Sequence, residues 1–492
     1  MYIQLKKIDS MSNTQIEIQA IKRKSIVGAF SYFSRTLVLQ GIGFAASVVL
    51  SALLTAEDYG LYGAVTAIIG VLIFFSDVGL AAALVQKKEA ATEDDYVTAF
   101  TIQQGLAWFI FLVTVIIAYT GLLSNKVGPA SNWIMLSLGL SFPLASLKTI
   151  PSIILERKLD FSKLVIPQIV EQLLFNGTLI VAVIMGMGVM AYVPAVLVRS
   201  VSGVITMYFI QPWHVRFGWS QTAFKSLIGF GAQFQLNDFL ARIKDQLFYL
   251  FLAFYFIPKE FGYINWSKTW SMYPYNLTVQ NVMSITFPAF SRLQNDKRYL
   301  QRAIEKSLFF ISAAIFPILV GMCLFITPLL SVFPIYSHWR PAVISLVFFT
   351  LSIAGGAIST PLTNTLNALG KISITLRLMV MWTVLTWVLT PVAIYFYGFN
   401  GVAIAAFVIS LSSFIPIIYV KKIVDLNVVD QLWRQTVAVV AMAMVGWYSQ
   451  QYWSESVPKL LIGILVCGLV YGSVLMAVGH KKVLAELRSL RS

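Results

Sequence analysis

The chain has 492 residues, of which 58% are hydrophobic and 12% charged, and it carries a net charge of +15. Soluble domains run nearer half apolar and a quarter charged, so an ordinary soluble globule is excluded. A membrane-spanning helix takes roughly 20 apolar residues, so about 285 apolar side chains furnish some fourteen helices and leave no room for a soluble catalytic domain. Cys323 and Cys467 sit inside apolar runs, and His214, His338 and His480 lie far apart. Neither a disulfide framework nor a zinc site is expected, and no cofactor or catalytic residue is assigned.

In chain order, residues 1–27 are polar and carry Asp9 and Glu17, so they do not read as a cleavable signal peptide. Residues 15–27 fit either a basic amphipathic helix lying at the inner membrane surface or a solvated tail. Apolar run length then places spans at 28–52, 60–84, 98–122, 132–152, 164–186 and 189–210. After a connection at 211–231, spans follow at 232–257, 262–286, 306–327, 341–367, 372–396 and 400–420. A last pair occupies 434–453 and 458–479, and residues 480–492 form a tail.

The cations fall on alternate connections. Twenty-six Lys and Arg residues lie on one side, against Lys126, Lys259, Arg340 and Lys459 on the other. This positive-inside asymmetry puts both termini in the cytoplasm and requires an even number of spans. It also answers the nucleic-acid reading of the net charge: the excess is an orientation signal, and no nucleic-acid partner is expected.

Two outer turns echo one another. Glu57-Asp58-Tyr59-Gly60 reappears, displaced by 202 residues, as the acidic-aromatic-Gly pattern around Glu260-Phe261-Gly262. Gly186-Met187-Gly188-Val189 similarly echoes Gly398-Phe399-Asn400-Gly401. Both echoes keep the same orientation. They predict an all-α polytopic fold with an N-lobe over 28–210, a C-lobe over 232–420 and two added helices over 421–479.

Charges at membrane depth cost at least ~2.5 kcal/mol each and persist mainly where they face protein or a water-filled cavity. Candidate substrate-cavity residues are therefore Arg35, Arg199, Arg242, Lys244 and Lys268, joined by the polar Gln172, Asn176 and Asn364. Candidate coupling-ion carboxylates are Asp77, Glu171, Asp238 and Asp245. Lys148, near an inner boundary, reads as a snorkelling anchor. Asp238, Arg242 and Asp245 share one helical face, as do Gln168, Gln172 and Asn176, and Lys268, Ser271 and Tyr275. The bland alternative is that such stripes only bind helices to one another. Hydroxyls, amides and aromatic faces suit sugars, whereas Arg and Lys suit phosphate. Gly370-Lys371 is followed by Ile372, so no nucleotide-binding loop energises the chain.

Several segments resemble a known family: Ser76-Asp77-Val78-Gly79-Leu80 running on to Val85-Gln86-Lys87-Lys88-Glu89, Glu156-Arg157-Lys158-Leu159-Asp160-Phe161, Phe287-Pro288-Ala289-Phe290-Ser291-Arg292, and Asn367-Ala368-Leu369-Gly370-Lys371. They are similar to Wzx-type polysaccharide flippases, in the subgroup of colanic acid exporters within the multidrug/oligosaccharidyl-lipid/polysaccharide exporter superfamily. Phe333-Pro334 before Trp339 departs from the pattern, where Gly is expected after Phe. The resemblance implies a non-enzymatic exporter in the bacterial inner membrane. It would translocate undecaprenyl-pyrophosphate-linked oligosaccharide units for surface polysaccharide biosynthesis. Its partners would be that substrate, membrane lipids, and the glycosyltransferases and polymerase of the same pathway. The alternative is an ion-coupled drug or metabolite antiporter on the same fold, which needs a deep carboxylate for organic cations. The charge asymmetry generates a first prediction: a cysteine at residue 126 reacts with an impermeant thiol reagent in intact cells, and one at residue 297 does not. The reverse labelling would overturn the span assignment.

Overall fold

The computed structural model describes residues 34–76, 79–87 and 89–488, with side chains described at all of these except 229–244, 284, 285, 287, 288, 484, 485, 487 and 488. The segment 15–27 and Asp77 lie outside the described residues. Among the described residues every regular element is helical. The helices are α1 Ser34–Leu53, α2 Ala56–Leu72, α3 Leu80–Gln86, α4 Glu93–Tyr119, α5 Ser124–Val127, α6 Ala130–Leu147, α7 Thr149–Arg157, α8 Phe161–Ile184, α9 Tyr192–Ile210 and α10 Gln221–Tyr255. They continue as α11 Pro258–Tyr275, α12 Asn281–Leu293, α13 Lys297–Val332, α14 Val343–Ala368, α15 Ile372–Tyr397, α16 Asn400–Ser410, α17 Phe414–Lys421, α18 Val428–Tyr448, α19 Gln450–Trp453 and α20 Val457–Arg488.

Twelve helical segments among the described residues are long and apolar enough to cross a membrane. The chain is thus an all-α, multi-span membrane protein. α10 and the α11–α12 pair stand where the other two of the fourteen predicted spans fall. Composition alone passes them over because Asp238, Arg242, Lys244 and Asp245 crowd one stretch of α10, and α11 is rich in Tyr, Trp, Ser and Lys. Two of the three polar stripes, Asp238-Arg242-Asp245 and Lys268-Ser271-Tyr275, lie on helices too polar to register as spans, and the third lies on α8.

The described chain forms two units. One comprises residues up to Leu54 together with Leu61–Ile257; the other comprises Thr55–Gly60 and everything from Pro258 onward. α10 belongs to the first unit, whereas the turn echoes assign 232–257 to the C-lobe. Its Leu227 is buried with Leu80, Leu84, Phe100, Ile150, Ile153 and Trp213, where α3, α4 and α7 meet.

The predicted span 60–84 is broken in the structure. α2 tightens into a 3-10 turn at Ile73–Phe75, and Gly79 adopts a left-handed φ of 74° before α3 begins. Glycine occupies that region without the Cβ cost that other residues meet. Beyond α3, Arg157 donates to the carbonyls of Leu84, Lys87 (3.1 Å) and Glu89 (2.8 Å), so its guanidinium caps the end of the helix. Arg157 itself ends α7 in a Schellman turn: Asp160 N–H donates to Leu155 O and Leu159 N–H to Glu156 O, with Leu159 at a φ of +56°. Lys87 pairs with Asp95 at 2.7 Å, and Asp95 completes a capping box with Thr92 at the start of α4. Burial pushes the neighbouring Glu156 carboxyl up from its ordinary range.

In the second unit α14 packs against α11, α13 and α16, and α18 and α20 pack on α13 and on each other. Phe325, Met442, Trp453 and Cys467 are buried at that three-helix seam. The 3-10 segment Pro334–Ala342 buries Trp339 completely, stacked on Trp266 at 4.7 Å and edge-on to Tyr59 at 5.1 Å. The Phe333-Pro334 departure is accommodated here: Pro334 opens the 3-10 segment at a position where proline costs no helical hydrogen bond.

The echoed turns meet in this unit. A Cβ on Gly60 would overlap the Pro258 carbonyl, and a Cβ on Gly262 would overlap the Ala56 carbonyl. The first turns of α2 and α11 therefore cross backbone to backbone through reciprocal small-residue contacts. Gly60→Ala or Gly262→Ala should force the helices apart and cost about 1–3 kcal/mol, the range for overpacking a fitted site. Gly41 of α1 has nothing within 4 Å of its Cβ position. Gly41→Ala should be neutral or stabilising by up to about 1 kcal/mol. Thermal unfolding of the purified variants checks both; equal melting temperatures for all three would refute the tight crossing.

Candidate functional site

The strongest charge constellation lies in the first unit, where α8 and α9 run close together. Gly203 of α9 permits this approach, since a Cβ there would strike the Glu171 carboxylate. Glu171 of α8 is buried and accepts a close ion-paired hydrogen bond from Lys148 Nζ at the α6–α7 junction. Arg199 Nε of α9 stands 3.8 Å from the other Glu171 oxygen, and its guanidinium lies 5.6 Å from the Phe175 ring centroid. Lys148 and Glu171 side chains are 19% and 11% exposed, whereas Arg199 is 50% exposed.

Those numbers assign roles. A buried carboxylate is stable only with close compensation, and Lys148 supplies it. Lys148 is therefore not the free snorkelling anchor read from its position. Arg199 is held too loosely for a hydrogen bond to Glu171 and keeps half its surface open. Two cations share one carboxylate, leaving a net positive site whose open member carries the planar donor fork suited to phosphate oxygens. At the N-terminal end of α9, Tyr192 stacks on Tyr62 at 3.7 Å and 10°, packing α9 against α2.

The remaining sequence candidates are dispersed. Gln172 of α8 is half-buried, and Asn176 is buried with its amide donating to the Gln172 carbonyl at 2.9 Å. Asn176 thus bonds a carbonyl of its own helix. Arg35 is half-buried on α1 and Asp245 is exposed on α10. The side chains of Asp238, Arg242 and Lys244, like Asp77, lie outside the described residues.

In the second unit Lys268 of α11 is exposed and Asn364 of α14 half-buried. The stripe Lys268-Ser271-Tyr275 does not act as one face. Ser271 turns inward and donates to the Lys268 carbonyl at 2.9 Å, while the Tyr275 hydroxyl bonds Thr360 Oγ1 at 2.9 Å. Trp266 of the same helix is buried in the stack with Trp339. Asn367 Oδ1 accepts from Thr375 at the α14–α15 turn. Sequence reasoning missed the Lys148–Glu171 pair, the clearance at Gly203 and the Arg157 cap. The first joins residues 23 positions apart on separate helices, which no local spacing rule links.

The chain belongs to a family of polysaccharide biosynthesis proteins, whose model matches residues 49–344. It is 23% identical over 376 residues to an uncharacterized membrane protein in the cps region of Klebsiella pneumoniae, covering 73% of this chain and 74% of that one. It is 19% identical over 450 residues to the succinoglycan biosynthesis transport protein ExoT of Rhizobium meliloti (strain 1021), covering 89% of each. Among solved structures it is similar to the lipid II flippase MurJ in an inward closed conformation, with TM-score 0.69, 15% identity, and coverage of 92% of this chain and 99% of that one. An inward-facing multidrug resistance transporter of the MATE family gives TM-score 0.59 at 13% identity, covering 80% of this chain and 98% of that one. The fold is thus of the type those transporters share.

Removing the central carboxylate should expose the cost of the cluster. Glu171→Gln leaves Lys148 poorly neutralised and should destabilise the protein by about 3–5 kcal/mol, the range for breaking a buried pair. Adding Lys148→Met should restore most of the loss. Melting temperature and membrane abundance report this, and a single variant as stable as the double would refute the pairing.

Proposed function

We propose that this protein is a flippase that carries undecaprenyl-pyrophosphate-linked oligosaccharide repeat units across the bacterial plasma membrane by alternating access, for surface polysaccharide biosynthesis. Family membership supports the pathway. The observation that carries the reading is Arg199: a half-exposed guanidinium on a membrane-spanning helix, beside a carboxylate already neutralised by Lys148. The isoprenoid tail can stay in the lipid while the pyrophosphate needs cationic contacts to cross. Arg199 supplies one, and Arg242, a second deep guanidinium in the sequence, is the other residue we assign to it.

In this reading both termini face the cytoplasm, the six-helix lobes are 28–210 and 232–420, and 421–479 adds a last helix pair. Arg35, Lys244 and Lys268 contribute further positive charge along the route. Coupling to an ion gradient falls to Asp77, Asp238 and Asp245 rather than Glu171, whose charge is spent on Lys148. The same pairing weighs against an organic-cation antiporter, because a carboxylate flanked by two cations repels such a substrate. Enzymes that assemble and polymerise the repeat unit are the expected functional partners.

Charge-assisted contacts contribute roughly 1.5–3 kcal/mol, so Arg199→Ala should weaken handling of the lipid-linked glycan ten- to a hundredfold, with Arg199→Lys intermediate. The measurement is flipping per folded molecule in proteoliposomes, with protein content quantified in parallel. Normal flipping by a well-folded Arg199→Ala protein would sink the assignment.

A further inference from the structure

The surface that α11 presents is polar where a lipid-facing helix is apolar. On α4 the exposed residues include Trp108, Phe109, Leu112 and Ile116, as hydrocarbon contact requires. On α11 and the turn after it, Lys268, Thr269 and Gln280 are exposed, and Tyr273 and Asn276 are half-exposed. Polar side chains open at this depth need water or a ligand beside them. α14 adds Thr360 and Asn364, both half-exposed, and the Tyr275–Thr360 hydrogen bond at 2.9 Å ties the two helices side by side.

The local backbone is unusual at the same place. Between α11 and α12 the chain forms a π-helical turn over Asn276–Gln280. Pro274 has no N–H to continue the α-helical ladder. Along the turn side chains bond backbone carbonyls: Thr278 Oγ1 donates to the Pro274 carbonyl at 2.6 Å, and Asn281 Nδ2 to the Leu277 carbonyl at 3.0 Å. Single π-turns inside helices cost stability and occur frequently at functional sites.

The chemistry of the face is narrow. From Lys268 to Gln280 there is no carboxylate and no guanidinium, and α14 carries no charge. What remains is amides and hydroxyls, which both donate and accept, together with the phenols of Tyr273 and Tyr275, the indole of Trp270 and the ammonium of Lys268. That inventory matches the vicinal hydroxyls of a neutral sugar and lacks the guanidinium fork that suits phosphate. We propose that the α11–α14 face of the second unit is a saccharide-reading subsite, taking neutral polyhydroxylated sugar residues through Asn276, Gln280, Thr360 and Asn364. The proposal rests on the reading of the chain as a lipid-linked oligosaccharide flippase, and adds that the glycan is recognised in the second unit, separately from the anion contact at Arg199.

Two probes separate the contributions: undecaprenyl pyrophosphate, and the same lipid carrying a neutral pentasaccharide. Binding of each to the purified full-length protein is measured for wild type, Asn276→Ala/Asn364→Ala and Arg199→Ala, with melting temperatures recorded alongside. Wild type should bind the glycan-bearing lipid more tightly. The double variant should lose that preference, weakening about tenfold or more for the glycan-bearing probe while binding undecaprenyl pyrophosphate as before. Arg199→Ala should weaken both probes alike. A double variant that keeps the wild-type preference, or weakens equally for both probes, overturns the subsite and leaves the flippase reading standing. Wild-type protein that binds neither probe overturns the flippase reading, and the subsite with it.

Discussion

A charge or amide at membrane depth has to be neutralised, hydrogen-bonded or wetted, and this one requirement sorts the polar residues of the chain. Lys148 and Glu171 meet it by pairing, and Asn176 by bonding its own helix. Arg199 meets it halfway: close enough to Glu171 to be stabilised, open enough to exchange that partner for an incoming anion. Such a poised cation costs less to keep than a bare one and is still available for binding, because its weak ion pair gives up little when it breaks.

The same accounting applies to backbone groups where α3 and α7 end in the first unit. α3 stops at Gln86, and one guanidinium gathers the carbonyls of Leu84, Lys87 and Glu89 at and beyond its end. Arg157 can do so because α7 stops sharply, at the cost of placing Leu159 in a left-handed conformation usually left to glycine. The Val85–Glu89 and Glu156–Phe161 segments, which carried the family resemblance, are thus two halves of one capping device.

Span positions were legible because apolar run length is a direct consequence of bilayer thickness, and α4, α8, α9 and α15 lie within a few residues of their expected places. The fracture of span two was not legible, since Gly79 in an apolar stretch reads like any other small residue until its φ is known. Site residues were legible as a class but not as partners. The depth of Arg199 and Glu171 follows from their spans. Their convergence on Lys148 depends on how α6, α8 and α9 pack, and on a missing Cβ at Gly203 that no charge pattern records. Stripe logic misled most on α11, where Ser271 is buried and Tyr275 is tied to Thr360 while Lys268 stays exposed.

The crossing at Gly60 and Gly262 couples two positions far apart in the sequence. Each carbonyl that would block an added Cβ belongs to the residue four places before the other glycine, so either substitution demands the same separation of the same two helices. Once one side chain has prised them apart, the second finds its space already made and adds little further cost. The two positions therefore act as one packing constraint, and substitutions at them are non-additive. Steric reciprocity thus joins the two echoed turns into a single fitted contact, in which neither glycine can be relieved without the other.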